Sequence, residues 1–187
     1  MKDQSITYGN ITVDIIYDDS PENPRMDTNL TQFVMFHKLF KLPNETGISN
    51  YNEFFNSWSE MQLDLQSKFK HVISVYMLHH GDIYFSLSDF MDKWDSGLVG
   101  FIVSNDESIE DFRKVAQSEL NTYGYYARGE CYGFTVNESE IEDTESVWSF
   151  YGSDHHESGL IESLYSVLKH SFAQNPKAIE EIVKQLN

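Results

Sequence analysis

The chain is expected to fold as α+β: a mainly antiparallel sheet of five to seven strands with about four helices packed on it, in one domain over residues 1–187. Three observations lead there. Apolar runs of strand length, such as ITVDIIY at 11–17 and LVGFIV at 98–103, recur through the first 150 residues between turn-forming Gly, Asn, Asp and Pro. Four stretches carry apolar residues at helical spacing, the last two adjacent at 158–187. A chain of 187 residues can also bury roughly 70% of its unfolded surface, enough for a core without covalent staples.

Ile6 to Tyr8 and Ile11 to Tyr17 read as strands paired across Gly9-Asn10. The segment 18–27 holds two prolines and several acids and cannot continue a ladder, so it is a loop. Leu30 to Phe40 is apolar on both parities, which predicts a strand buried on both faces and ended by Pro43. Asn50-x-x-Glu53 matches a capping box, and Tyr51, Phe54, Phe55, Trp58, Met61, Leu65 and Phe69 follow at helical spacing; this predicts a helix over 50–68. Val72 to Leu78 and Ile83 to Phe85 form a hairpin around His79-His80-Gly81-Asp82.

The chain is organised around Trp94-Asp95-Ser96-Gly97-Leu98-Val99-Gly100-Phe101-Ile102-Val103, a polar turn feeding a central strand. Trp94 is expected to pack back over the sheet, and Gly100 marks a bulge or a close backbone approach. Ser104-x-x-Glu107 reads as the cap of a helix with Ile109, Phe112, Ala116, Leu120 and Tyr123 inward. Gly129 to Val136 pairs with Val147 to Tyr151 across the acidic stretch 137–146. Helices at 158–172 and 176–186 finish the chain, the second with Asn175 as cap and Pro176 in its first turn.

Thirty acidic side chains against thirteen basic ones give a formal charge of −17, which disfavours direct contact with nucleic acid or an anionic membrane. Basic proteins or cations are the natural partners, and solubility alone explains such a charge equally well. One cysteine, Cys131, excludes an internal disulfide and fits a reducing compartment. The start has no apolar signal region and no apolar run has the length of a span, so the expected location is the cytoplasm.

Several pieces together resemble a family of uncharacterised bacteriophage and mobile-element proteins. They are Ser20-Pro21, Asn29-Leu30 with Phe36-His37, Trp94-Asp95-Ser96-Gly97-x-Val99-Gly100-Phe101-Ile102, Glu119 with Tyr123 and Tyr126 before Gly129-Glu130-Cys131-Tyr132-Gly133-Phe134, and Trp148-Ser149-Phe150-Tyr151-Gly152. The chain departs from the pattern at His79-His80-Gly81, in place of a Tyr-Asp-His-Ser-Gly turn, and at Leu98, in place of Gln. The resemblance implies a phage setting, hence a bacterial host, and a meeting with host machinery. It transfers no catalytic residue.

Candidate chemistry is sparse. Seven histidines with Asp82, Asp95 or Asp154 contain the ligand types of a metal site, but no HExxH or similar spacing occurs, and a surface role is the simpler reading. No metal or other cofactor is assigned. Trp94, Asp95 and Ser96 form a possible loop site, although no elbow motif or base activates Ser96. Cys131, among aromatic strand residues, reads as a buried apolar side chain. Asp106, Glu107, Glu110 and Asp111 suit the positive end of a helix.

Glu138, Glu140, Glu142, Asp143 and Glu145 crowd a connection between strands, where local structure does not require them. Carboxylates held in a row can stand in for duplex phosphates, which recur about every 3.4 Å per strand. The expected function is therefore non-enzymatic: binding and inhibition of a host protein with a basic surface, such as an anti-restriction or anti-CRISPR-like DNA mimic. A metal-dependent hydrolase and a homo-oligomeric structural or accessory phage protein remain alternatives. No motif decides whether a homodimer forms on the aromatic surface.

Overall fold

The computed structural model describes residues 2–47, 56–138 and 145–186. Its class is α+β, and among the described residues eight strands, all paired antiparallel, form two four-stranded sheets, where one sheet of five to seven was expected. The chain divides into two compact units: residues 1–22 with 129–187, and residues 23–128 inserted between them in sequence.

The first unit carries β1 (Lys2–Tyr8), β2 (Ile11–Tyr17), β7 (Cys131–Glu138) and β8 (Glu145–Tyr151), in the order β1-β2-β7-β8. Gly9, at φ +62°, begins the two-residue turn that joins β1 to β2. Ile11, Val13 and Ile15 alternate onto one face with Tyr132, Phe134 and Val136 opposite. That face is covered by α3 (Leu160–Ser171) and α4 (Pro176–Leu186), through Leu160, Leu164, Leu168, Ile179 and Ile182. Asn175 caps α4 as expected, its side chain accepting from the Ala178 amide at 3.3 Å. On the other face Asp14, buried, takes bonds from Lys2 at 2.7 Å and Ser5 at 2.5 Å. Burial alone would raise its pKa; these two partners overcome that and hold it below the ordinary value.

The second unit holds β3 (Gln32–Met35), β4 (His71–His80), β5 (Asp82–Ser86) and β6 (Ser96–Ser104), in the order β3-β6-β4-β5. Helix α1 (Trp58–Lys68) covers Val34, Phe101 and Val103, and α2 (Phe112–Arg128) covers Phe33, Met35, Val75 and Ile102. Cover on both faces explains why β3 and β6 are apolar on both parities. β3 is shorter than its apolar run because the chain doubles back along it. Met35 donates to the Pro43 carbonyl and Glu45 to that of Phe33, each within 2.9 Å.

The proposed Asn50–Glu53 box lies outside the described residues, and α1 is capped by Ser57, whose hydroxyl accepts from the Glu60 amide. Ser104 caps nothing: it donates to the Leu30 carbonyl and accepts from Asp106, so α2 starts later, with Asp111 accepting from the Lys114 amide. The acids at 106–111 thus serve turns as well as a helix start.

Gly100 satisfies both expectations placed on it. The β4–β6 register slips beside it, pairing Val75 with Gly100 but Tyr76 with Leu98. At φ +153°, a Cβ there would lie 2.1 Å from the Val34 carbonyl oxygen. Gly100→Ala is therefore expected to destabilise the protein by about 3 kcal/mol or more, since backbone must move. Gly97→Ala, with open space around it, should stay within about 0.5 kcal/mol. Urea unfolding of both variants checks this contrast, and equal midpoints would refute it.

Arg25 closes the second unit. Its side chain is 4% exposed, lies 3.8 Å over the Phe33 ring, and donates from all three nitrogens. Nε and Nη2 grip Glu45 at 2.8 Å each, Nη1 reaches Asn29 and Glu119 at 2.8 Å, and Nη2 also reaches the Thr31 carbonyl at 2.7 Å. Burial alone would lower its pKa, and the two carboxylates raise it instead. Arg25→Met should cost about 3 kcal/mol because two carboxylates lose their cation, and Arg25→Lys should recover only part of that. A Met variant with the parent's urea midpoint would contradict this account.

Candidate functional site: a tryptophan cleft on the first sheet

β8 is bulged against β7. Tyr132 pairs with Phe150 and Phe134 with Val147, so Trp148 and Ser149 together oppose Gly133. Ser149 takes φ +72°, an uncommon conformation for a residue with a side chain. The missing side chain at Gly133 admits the indole: a Cβ there would sit 2.2 Å from Trp148 Cε3. Ile16 of β2 pairs with Gly133 from the other side.

The chain leaving β2 borders the same place. Asp18 extends the pairing by donating its amide to the Cys131 carbonyl at 2.9 Å, and its carboxylate accepts from the Ser20 amide at 3.0 Å. The Tyr151 hydroxyl donates to the Glu22 carbonyl at 2.8 Å and fixes the far end of the loop. Burial raises the Tyr151 pKa, with Cys131 adding to it. The result is a cleft of about 440 Å³ whose walls include Ile16, Asp18, Asp19, Glu22, Trp148 and Ser149. Trp148 is 41% exposed, Asp19 and Glu22 are exposed, and among the described residues no lysine or arginine lines the cleft.

The residues singled out from sequence fare differently. Glu138 ends β7 and accepts from the Asn10 side chain at 2.6 Å; Glu145 begins β8 and accepts from the Ser171 hydroxyl. Glu140, Glu142 and Asp143 lie outside the described residues.

Trp94 does not pack over the sheet: it is 93% exposed. Polar bonds hold its loop without help from the indole. The Asp92 carboxylate accepts from the amides of Trp94 and Asp95 within 2.9 Å, which lowers its pKa. Ser96 donates to the Asp92 carbonyl at 2.6 Å, and Asp95 binds His80 Nδ1 at 2.8 Å. Ser96 therefore acts as a turn hydroxyl.

The adjacent histidines diverge: His79 packs edge-on to Phe40 while His80 meets Asp95. His155 contacts Asp3 at 3.1 Å and the Tyr132 ring. Among the described residues no group of three His, Cys, Asp or Glu side chains gathers where it could hold a metal ion, and no helix is long and apolar enough to cross a membrane. Cys131 is fully buried, and burial, with Asp18 and Glu130, pushes its thiol up to about 11, so it stays protonated and apolar in character.

Trp148 and Gly133 are both visible in the sequence, but no local pattern joins them. The legible signal was a glycine inside a strand pattern, which marks a close approach, but its partner lies on another strand. Comparison of the chain with protein-family models, with curated proteins and with solved structures gives no match.

Two histidines should titrate on opposite sides of the ordinary 6.5. The hydrogen bond to Asp95 raises His80, whereas burial, then His79 and Lys38, lower His37. The His80 contribution to stability is complete below the unfolded pKa and fades as pH rises through the raised one. That of His37 is present above the unfolded pKa and is lost as pH falls through the lowered one. NMR titration of the ring protons checks the order, and Asp95→Asn should return His80 toward 6.5.

Proposed function

We propose that this chain is a non-catalytic interaction protein that recognises a basic surface on a partner protein. The observation that carries the reading is the disposition of its charge. Of the few cations, Arg25 is enclosed between Glu45 and Glu119, Lys2 sits on Asp14 and Lys68 on Asp64. Acids outnumber bases by 30 to 13, so the net charge of −17 survives these pairings almost unchanged, and such a field speeds encounter with a basic partner.

The resemblance to phage and mobile-element proteins extends the reading to a nucleic-acid-binding defence enzyme of a bacterial host. Such an enzyme presents a basic groove, and a row of carboxylates at 138–145 would occupy it in place of phosphates.

The test is capture of partners from a bacterial lysate at low salt, elution along a salt gradient, and repetition with Glu138, Glu140, Glu142, Asp143 and Glu145 changed to Gln or Asn. A basic nucleic-acid enzyme should elute at moderate salt, and neutralisation should slow its association by about tenfold. A partner retained at high salt and indifferent to neutralisation would overturn the acidic-surface reading.

A further inference from the structure

We infer that the Trp148 cleft receives the guanidinium of an arginine side chain. A half-exposed indole forms one wall, Asp19 and Glu22 stand exposed at the rim, and among the described residues no basic side chain lines the space. A cation over the face of tryptophan is attracted by the ring quadrupole, and carboxylates at the edge of a planar guanidinium take its N–H donors. An uncharged apolar ligand would leave the carboxylates unused, and a bare metal ion would leave the indole unused. The protein already builds this arrangement once: Arg25 lies 3.8 Å over Phe33 with Glu45 and Glu119 on its edges.

The wall is held in place before any ligand arrives. The Trp148 ring fills the place a Cβ of Gly133 would take, and Tyr151 ties the Glu22 backbone to β8, so the ring and the end of the rim loop are both anchored to one sheet edge. In two respects the cleft differs from the exposed Trp94, which stands free beside Asp92 and Asp95: those carboxylates are already bonded to loop amides and to His80, and nothing packs on the ring to fix it.

The arginine would come from the basic partner, and to that extent the inference rests on the proposed function. The test separates the two. Free N-acetyl-arginine amide is titrated into the ¹⁵N-labelled protein and the three indole N–H signals are followed, with Trp148→Phe identifying that of Trp148. The expected result is a saturable shift of the Trp148 signal, with N-acetyl-norleucine amide giving none. The variant Asp19→Asn/Glu22→Gln, whose side chains make no described hydrogen bond or ion pair, should weaken binding by about fivefold. No shift, an equal shift with the neutral amide, an equal shift at Trp94, or undiminished binding to the double variant would each overturn the assignment. Arginine binding together with an empty partner column would overturn the proposed function and leave the cleft standing.

Discussion

The second unit depends on a single buried guanidinium. Arg25 draws together four pieces of chain: the loop after β2, β3, the return segment at Glu45 and helix α2 through Glu119. Glu119 also accepts from the Leu30 amide and the Thr31 hydroxyl, and Glu45 from the Phe33 amide, so each carboxylate binds backbone or hydroxyl as well as cation. A buried ion pair offsets its desolvation only when its remaining donors and acceptors are satisfied, and here the guanidinium is bonded from all three nitrogens. The network also sets where β3 ends, because Glu45 holds the return segment against it.

Both sheets use one glycine to bring something closer than a side chain allows. At Gly100 the neighbour is backbone, and the gain is a tight β3–β6 pairing beneath two helices. At Gly133 the neighbour is an indole, and the gain is an aromatic wall on the sheet. Each glycine sits at a register slip, where the extra residue of the bulged strand needs room. The first serves the core; the second leaves a ring half exposed beside carboxylates.

Charge and packing therefore divide the work. Cations meet the carboxylates of Asp14, Glu45 and Glu119, and the acids remain in large excess over the rest of the chain. Under the proposed function, a basic partner would be steered by the field and held at a concave place that combines an apolar side chain with charge. The Trp148 cleft has that combination, whereas Trp94 is an exposed ring on a polar loop.

Much of the local structure was legible in the sequence. The α+β class, the antiparallel hairpins, the two-sided burial of β3, a special backbone position at Gly100, the cap at Asn175 and the burial of Cys131 all follow from period, turn chemistry and propensity, which act over a few residues. Tertiary structure alone decided the rest. The partition into two sheets depends on β2 pairing with β7, and the Arg25–Glu119 contact spans 94 residues. The exposure of Trp94 follows from loop bonds that satisfy the backbone without the ring, and the cleft follows from a bulge that opposes two residues to Gly133. Such features are set by register and by long-range partners, which local patterns do not encode, so the sequence determined the elements and the fold chose which of them meet.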